Sequence, residues 1–243
     1  MAFKRRVDIT TRPPKILFQP VLDNFQYLFS RGSVQEPIIR SLWIAGLAVF
    51  LSLLLGALAA YALARFQWFR QKDLEFFIAS TRMLPPVAVI IPYYSVFIQF
   101  HWLDNGIALA IVYLLIDLPL VIWLLLGFFR TIPRELDDAA RIDGGSALQV
   151  FWYVDLPLVK SGLVTAGILA FLFTWGELFF AFILTSLHRT FPVALLSFLA
   201  VGLEVQYGPM AAAGVIATVP SILLAVFARR ALIDGFRSLA GIS

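Results

Sequence analysis

Apolar residues in this chain come in long runs, not in strict alternation and not on one stripe of an amphipathic helix. Five runs, roughly Ser41–Arg65, Phe76–Phe100, Asn105–Phe129, Gly162–Leu187 and Gly208–Arg229, each hold about the twenty mostly apolar residues that a helix needs to cross a bilayer. Lipid offers no partner for an unpaired backbone group, so each run is predicted to be helical. Pro85-Pro86 and Pro92 lie in the second run, which is predicted to kink or break where protein or water can satisfy the freed carbonyls. Gly162, Gly167, Gly208 and Gly214 suit close packing between helices. The predicted fold class is all-α, a polytopic helical membrane protein. Its transmembrane domain covers 41–243 and follows an N-terminal segment, 1–40, in which Ile16–Phe29 is too short and too polar to add a span.

One polar insertion, 130–160, separates the third and fourth runs. It reads as two short helices around a hinge. Pro133 suits a first helical turn, and Glu135, Asp137 and Asp138 complement the positive end of a helix dipole. Ala139, Ala140 and Ile142 offer a compact surface before Asp143. Gly144-Gly145 permits a sharp turn with positive φ. Ser146 can cap a second helix containing Phe151, Trp152, Tyr153 and Val154, which Leu156-Pro157 is predicted to end. A solvated loop has little reason to carry four large apolar side chains in a row, whereas a loop docked on another protein does.

Composition agrees with the membrane reading. Hydrophobic residues make up 60% of the 243 and charged residues 14%, against about a quarter charged in a soluble domain. The distribution of charge sets the direction of the spans. Arg65, Arg70, Lys72, Arg130, Arg134, Arg141, Lys160, Arg229, Arg230 and Arg237 lie on one set of connections, and only Arg189 on the other. Ten against one places loop 130–160 and the C-terminus in the cytoplasm. Five spans would then put 1–40 outside, although it carries Lys4, Arg5, Arg6, Arg12, Lys15, Arg31 and Arg40. The expectation is therefore an additional helix upstream of this segment. The net charge of +4 is accounted for by membrane topology, and no nucleic-acid partner is expected. Cysteine is absent, which excludes disulfides and thiolate metal sites. His101 and His188 fit no zinc spacing.

The insertion resembles the cytoplasmic "EAA" loop of ATP-binding-cassette (ABC) transporter permeases: Glu-Ala-Ala, three residues, Gly, nine residues, Ile-x-Leu-Pro. Here the pattern stands as Asp138-Ala139-Ala140, Gly144 and Val154-Asp155-Leu156-Pro157 with every spacing kept. Asp23-Asn24-Phe25, Ala60 to Phe66, Arg82-Met83-Leu84-Pro85-Pro86, Trp175-Gly176-Glu177-Leu178, Phe191-Pro192-Val193 and Ala211 to Gly214 extend the likeness to the carbohydrate-uptake class, specifically the smaller permease of maltose-type importers. Gly176 stands where that class commonly has Asn. The resemblance implies six spans, the first apparently missing from this chain. It also implies a coupling helix seated in a cleft of an ATPase subunit, with Glu135, Asp138, Ala139, Ala140, Asp143, Gly144, Gly145, Leu156 and Pro157 at the contact. The implied partners are a second permease, two ATPase subunits and an extracytoplasmic solute-binding protein, in a prokaryotic inner membrane. ATP and Mg belong to the ATPase, since this chain has no Gly-x-x-x-x-Gly-Lys-Ser/Thr loop. No cofactor or metal and no enzymatic activity are expected of the chain itself.

Ionisable groups inside spans are costly and tend to face a bundle interior or a pathway. Arg82 lies about 10 Å along its run at 1.5 Å per residue, where snorkelling and a pathway role are both open. Asp117 lies mid-span beside Pro119, and Glu177 lies between Trp175 and Phe179. Carboxylates that accept from sugar hydroxyls, with an aromatic face for the sugar's C–H surface, make a polyhydroxyl site plausible. Pairing that only holds helices together is the competing reading. Among functions, an ABC permease for a sugar or sugar alcohol leads, and a permease for a non-carbohydrate solute is the alternative. An intramembrane enzyme would need a clustered catalytic set, and a stand-alone secondary transporter would need internal repeats; the sequence has neither.

Overall fold

The computed structural model describes residues 1–240 except 12, 14, 31–33, 67–68 and 198–205, with side chains described as far as Val226. The side chains of Arg12, Arg31, Arg229, Arg230 and Arg237, which entered the charge count, lie outside the described residues. Every regular element among the described residues is helical. In chain order these are α1 Arg6–Thr10, α2 Asp23–Ser30, α3 Gln35–Arg65, α4 Gln71–Thr81, α5 Pro86–Gln99, α6 Gly106–Thr131, α7 Arg134–Ile142 and α8 Ala147–Val150. A π turn, Phe151–Asp155, follows, then α9 Leu156–Leu158, α10 Lys160–Trp175, α11 Phe179–Leu184, α12 Phe191–Leu196 and α13 Tyr207–Ala240.

Among the described residues three helices are long and apolar enough to cross a membrane: α3, α6 and the stretch Tyr207–Val226 of α13. The count reaches five if two bent pairs each form one span. The first pair is α4 and α5, bent by 83°. Pro85-Pro86 explains the break, because a residue before proline is pushed out of the helical region and neither proline donates an N–H. Arg82 therefore does not lie along a continuous span; it is the residue just after α4.

The fourth apolar run departs from expectation in two ways. Its helix starts at Lys160 after a 78° bend from the preceding segment, and it stops at Trp175 instead of running to Leu187. Gly176 is a poor helix residue, and the Glu177 carboxylate accepts from the N–H groups of Phe180 (2.9 Å) and Ala181 (3.1 Å). It thereby satisfies the orphan donors of a new helix, α11. Leu156-Pro157 also differs: the chain stays helical through Leu158 and breaks at Val159. Pro157 sits in the first turn of α9, where a missing N–H costs little.

The chain divides into two compact units. One comprises Met1–Ile44, Ile90–Leu109 and Trp175–Leu223; the other comprises Ala45–Val89, Ala110–Thr174 and Leu224–Ser243. In the first, the Asn24 amide donates to the carbonyls of Ala2 (2.8 Å) and Lys4 (2.9 Å), and the Ser41 hydroxyl accepts from the Phe191 N–H at 2.7 Å. In the second, α3, α6, the π turn and α10 share a core of Tyr61, Val121, Leu125, Phe129, Phe151 and Ala166. A Cβ on Gly162 would lie 2.6 Å from the Phe128 ring, the close packing the sequence suggests. Gly214, by contrast, has nothing within 4 Å.

Candidate functional site

Loop 130–160 is built from local signals that agree with one another. α7 ends in a Schellman motif: the Gly145 N–H donates to the Ala140 carbonyl (2.9 Å) and the Gly144 N–H to that of Arg141 (3.0 Å), with Gly144 at φ +88°. Ser146 then opens α8 with a capping box. Its hydroxyl accepts from the Gln149 N–H (3.4 Å), and the Gln149 side chain accepts from the Ser146 N–H (2.8 Å). Stop and start signals are two residues apart, so the bend is held on both sides by local hydrogen bonds.

The residues expected at a protein contact are mostly open to solvent. Glu135, Asp138, Ala139, Asp143, Gly144 and Pro157 are exposed, and Ala140, Gly145 and Leu156 are half-buried. The aromatic run is not exposed as a block. Trp152 and Tyr153 are 45% and 80% exposed, while Phe151 is buried. Phe151 packs on Tyr61 at 5.1 Å and Phe129 at 6.2 Å between ring centroids.

Asp137 also departs from its expected role at the helix dipole. It turns inward, where sequence reasoning placed no charge cluster. Arg65, at the end of α3, pairs with Asp137 of α7 (Nε to Oδ2, 2.9 Å) and with Asp155 of the π turn (Nη2 to Oδ1, 2.6 Å). It also donates to the Ile132 carbonyl at 3.1 Å. The three side chains are only 3%, 6% and 0% exposed. One turn back on the same face of α3, the Tyr61 hydroxyl donates to the Ala147 carbonyl at 3.2 Å. Two carboxylates thus share one guanidinium. Burial first, then the neighbouring Asp155 carboxylate, push Asp137 above the usual carboxylate range against the pull of Arg65 and Arg141. The only sequence signal for this cluster is three charges flanking a span end and a loop.

The polar groups expected along a pathway lie in separate settings. Asp117 is buried and accepts from the Thr174 hydroxyl, with Arg82 the opposing charge that reaches it. The Arg82 guanidinium lies 4.6 Å over the Phe173 ring. Trp175 is buried, donates its ring N–H to the Ala217 carbonyl (2.9 Å) and packs on Phe191. Glu177 caps α11 as described. Among the described residues no group of three or more His, Asp or Glu could hold a metal ion.

Long apolar helices are thus joined by an exposed helix–glycine–helix loop that is rooted in a buried ion cluster. Residues 52–238 match the family described as the binding-protein-dependent transport system inner membrane component. The chain belongs to that family and is a permease component of an ABC importer. It is 35% identical over 234 residues to the probable ABC transporter permease protein y4oR of Sinorhizobium fredii, covering 96% of this chain and 84% of that one. It is 29% identical to the trehalose/maltose transport system permease protein MalG of Thermococcus litoralis (91% and 81% covered). It is 32% identical to the trehalose transport system permease protein SugB of Mycobacterium tuberculosis (89% and 80% covered). The resemblance to sugar permeases holds. Among solved structures, a chain of a bacterial ABC transporter involved in the import of the acidic polysaccharide alginate superposes with a TM-score of 0.79 at 21% identity, covering 94% of this chain and 86% of that one. That likeness shows the fold.

Proposed function

We propose that this chain forms, with a second permease, the translocation path for a sugar or sugar alcohol. In this reading an extracytoplasmic binding protein delivers the solute, and two ATPase subunits, which carry ATP and Mg, drive it inward. Loop 130–160 and the C-terminus face the cytoplasm. Glu135, Asp138 to Ala140, Asp143 to Gly145 and Leu156-Pro157 meet an ATPase, with Trp152 and Tyr153 as apolar anchors. The observation that carries this reading is the loop itself: a bend held by a Schellman motif and a capping box, with its motif residues turned outward.

The sugar preference is supported by the trehalose and maltose named for the relatives. For this chain, a non-carbohydrate solute is the competing reading. Arg82, which is exposed, is the remaining candidate for solute contact; Asp117 is buried against the Thr174 hydroxyl. Glu177 and Trp175 are engaged within the protein by Phe180, Ala181, Ala217 and Phe191, and their proposed part is to shape the path.

Gly144→Pro tests the loop, because proline holds φ near −65° where Gly144 needs +88°. The transporter isolated through a tag on this chain is expected to contain an ATPase subunit, and the variant is expected to lose it together with transport. Normal assembly and solute-stimulated ATP hydrolysis in Gly144→Pro would overturn the assignment. Uptake of labelled trehalose and maltose, set against putrescine and phosphate, decides the solute class.

A further inference from the structure

α8, the π turn and α9 are four, five and three residues long. Helices this short have no stability of their own in water, so a push on them is transmitted only as far as something welds them to a longer element. The described residues of the second unit show such a weld. Arg65 reaches Asp137, Asp155 and the Ile132 carbonyl, and Tyr61 adds the Ala147 carbonyl and the Phe151 ring. The other charges along α7 and its turn (Arg134, Glu135, Asp138, Arg141 and Asp143) are exposed.

We infer that Arg65 is a positioning residue that locks α7, the π turn and the end of α3 into one rigid lever, so that loop and span move together during transport. The inference rests on the proposed function, in which the loop receives the ATPase's push. Two physical features support it. The guanidinium meets two carboxylates at once, through a hydrogen bond to Asp155 (2.6 Å) and an ion contact to Asp137 (Nε to Oδ2, 2.9 Å) whose Nε makes no hydrogen bond, so one side chain ties α7 and the π turn to α3. The Asp137 and Asp155 side chains are 6% and 0% exposed, so withdrawing Arg65 would leave two buried charges without their shared counterion.

The chain has no cysteine, so two can be introduced cleanly for spin labels. Phe50 on α3 is 62% exposed, and Arg134 at the start of α7 is exposed. In the intact transporter, the distance distribution between Phe50→Cys and Arg134→Cys is expected to be the same without nucleotide and after trapping with ATP and vanadate. Adding Arg65→Gln is expected to widen or shift it on trapping by at least twofold of its width. Arg65→Lys, which keeps the charge and reaches one carboxylate, is expected to fall between, and it serves if the Gln variant does not assemble. A wild-type distance that changes on trapping overturns the lever, as does an Arg65→Gln transporter whose distribution stays narrow. Absence of any ATPase from the wild-type complex would instead overturn the proposed function.

Discussion

Two aspartates sit at connections between helices, and they are held in opposite ways. Asp137 belongs to loop 130–160, is buried, and shares Arg65 with a second carboxylate. Asp104 belongs to the short connection before α6. Its carboxylate accepts from the backbone N–H groups of Ser186 (2.9 Å), His188 (2.9 Å) and Leu187 (3.1 Å), while its own N–H donates to the Leu184 carbonyl at 2.9 Å. Burial opposes the Asp104 charge, but the three amide donors and the nearby His188 outweigh it and hold the carboxyl below the usual range. Asp104 clasps three successive backbone N–H groups. Asp137 is buried beside a second carboxylate, with Arg65 the counterion the two share and Arg141 a further favourable charge. One connection is tied by backbone amides to a single carboxylate, the other by a guanidinium shared between two.

The largest expected effect breaks the buried cluster. Arg65→Ala leaves two carboxylates buried without their counterion and should cost about 3–5 kcal/mol, read as a lowered midpoint of thermal unfolding in detergent; a midpoint equal to wild type would show that water enters the cluster freely. Asp104→Ala removes three charge-assisted bonds and should cost about 2 kcal/mol. The sign of its pH dependence follows from its lowered folded-state value. The stabilisation is present above the ordinary carboxylate range and is lost as pH falls through the folded value, so the two unfolding curves should converge in acid. Curves that stay equally spaced at all pH would remove the clasp.

Ser146→Ala should cost about 1 kcal/mol by loss of the cap, and loosened loop structure should appear as faster amide exchange at Gln149. The smallest effect is Asp137→Asn. Because the folded Asp137 value is raised, its penalty is present at neutral pH and relieved as pH falls through that value. The substitution should therefore leave stability at neutral pH unchanged or slightly higher, and should flatten its rise toward mild acid. A clear loss at neutral pH would mean that both carboxylates are needed as anions.

Much of the fold was legible along the chain because its causes are local. α3 and α6 follow from run length, the α4–α5 break from Pro85-Pro86, and the bend at Gly144 from a glycine where φ must be positive. The break at Gly176 was missed because hydropathy weighs side chains one by one, whereas Glu177 ends one helix and caps the next through a specific carboxylate-to-amide contact. The exposed aromatic block was overcounted for a similar reason: position on the π turn, not residue type, sends Phe151 inward and Tyr153 outward.

By itself the sequence determined an all-helical membrane permease, the place of its loop and the spacing of its motif, since these depend on run length and on residues a few positions apart. Only the tertiary structure decided which of the loop's acids serves the outside and which the core. Arg65 lies 72 residues from Asp137 and 90 from Asp155, and no periodicity links positions that far apart. Their meeting is set by how α3, α7 and the π turn pack, and a charge pair has a partner only after that packing has been made.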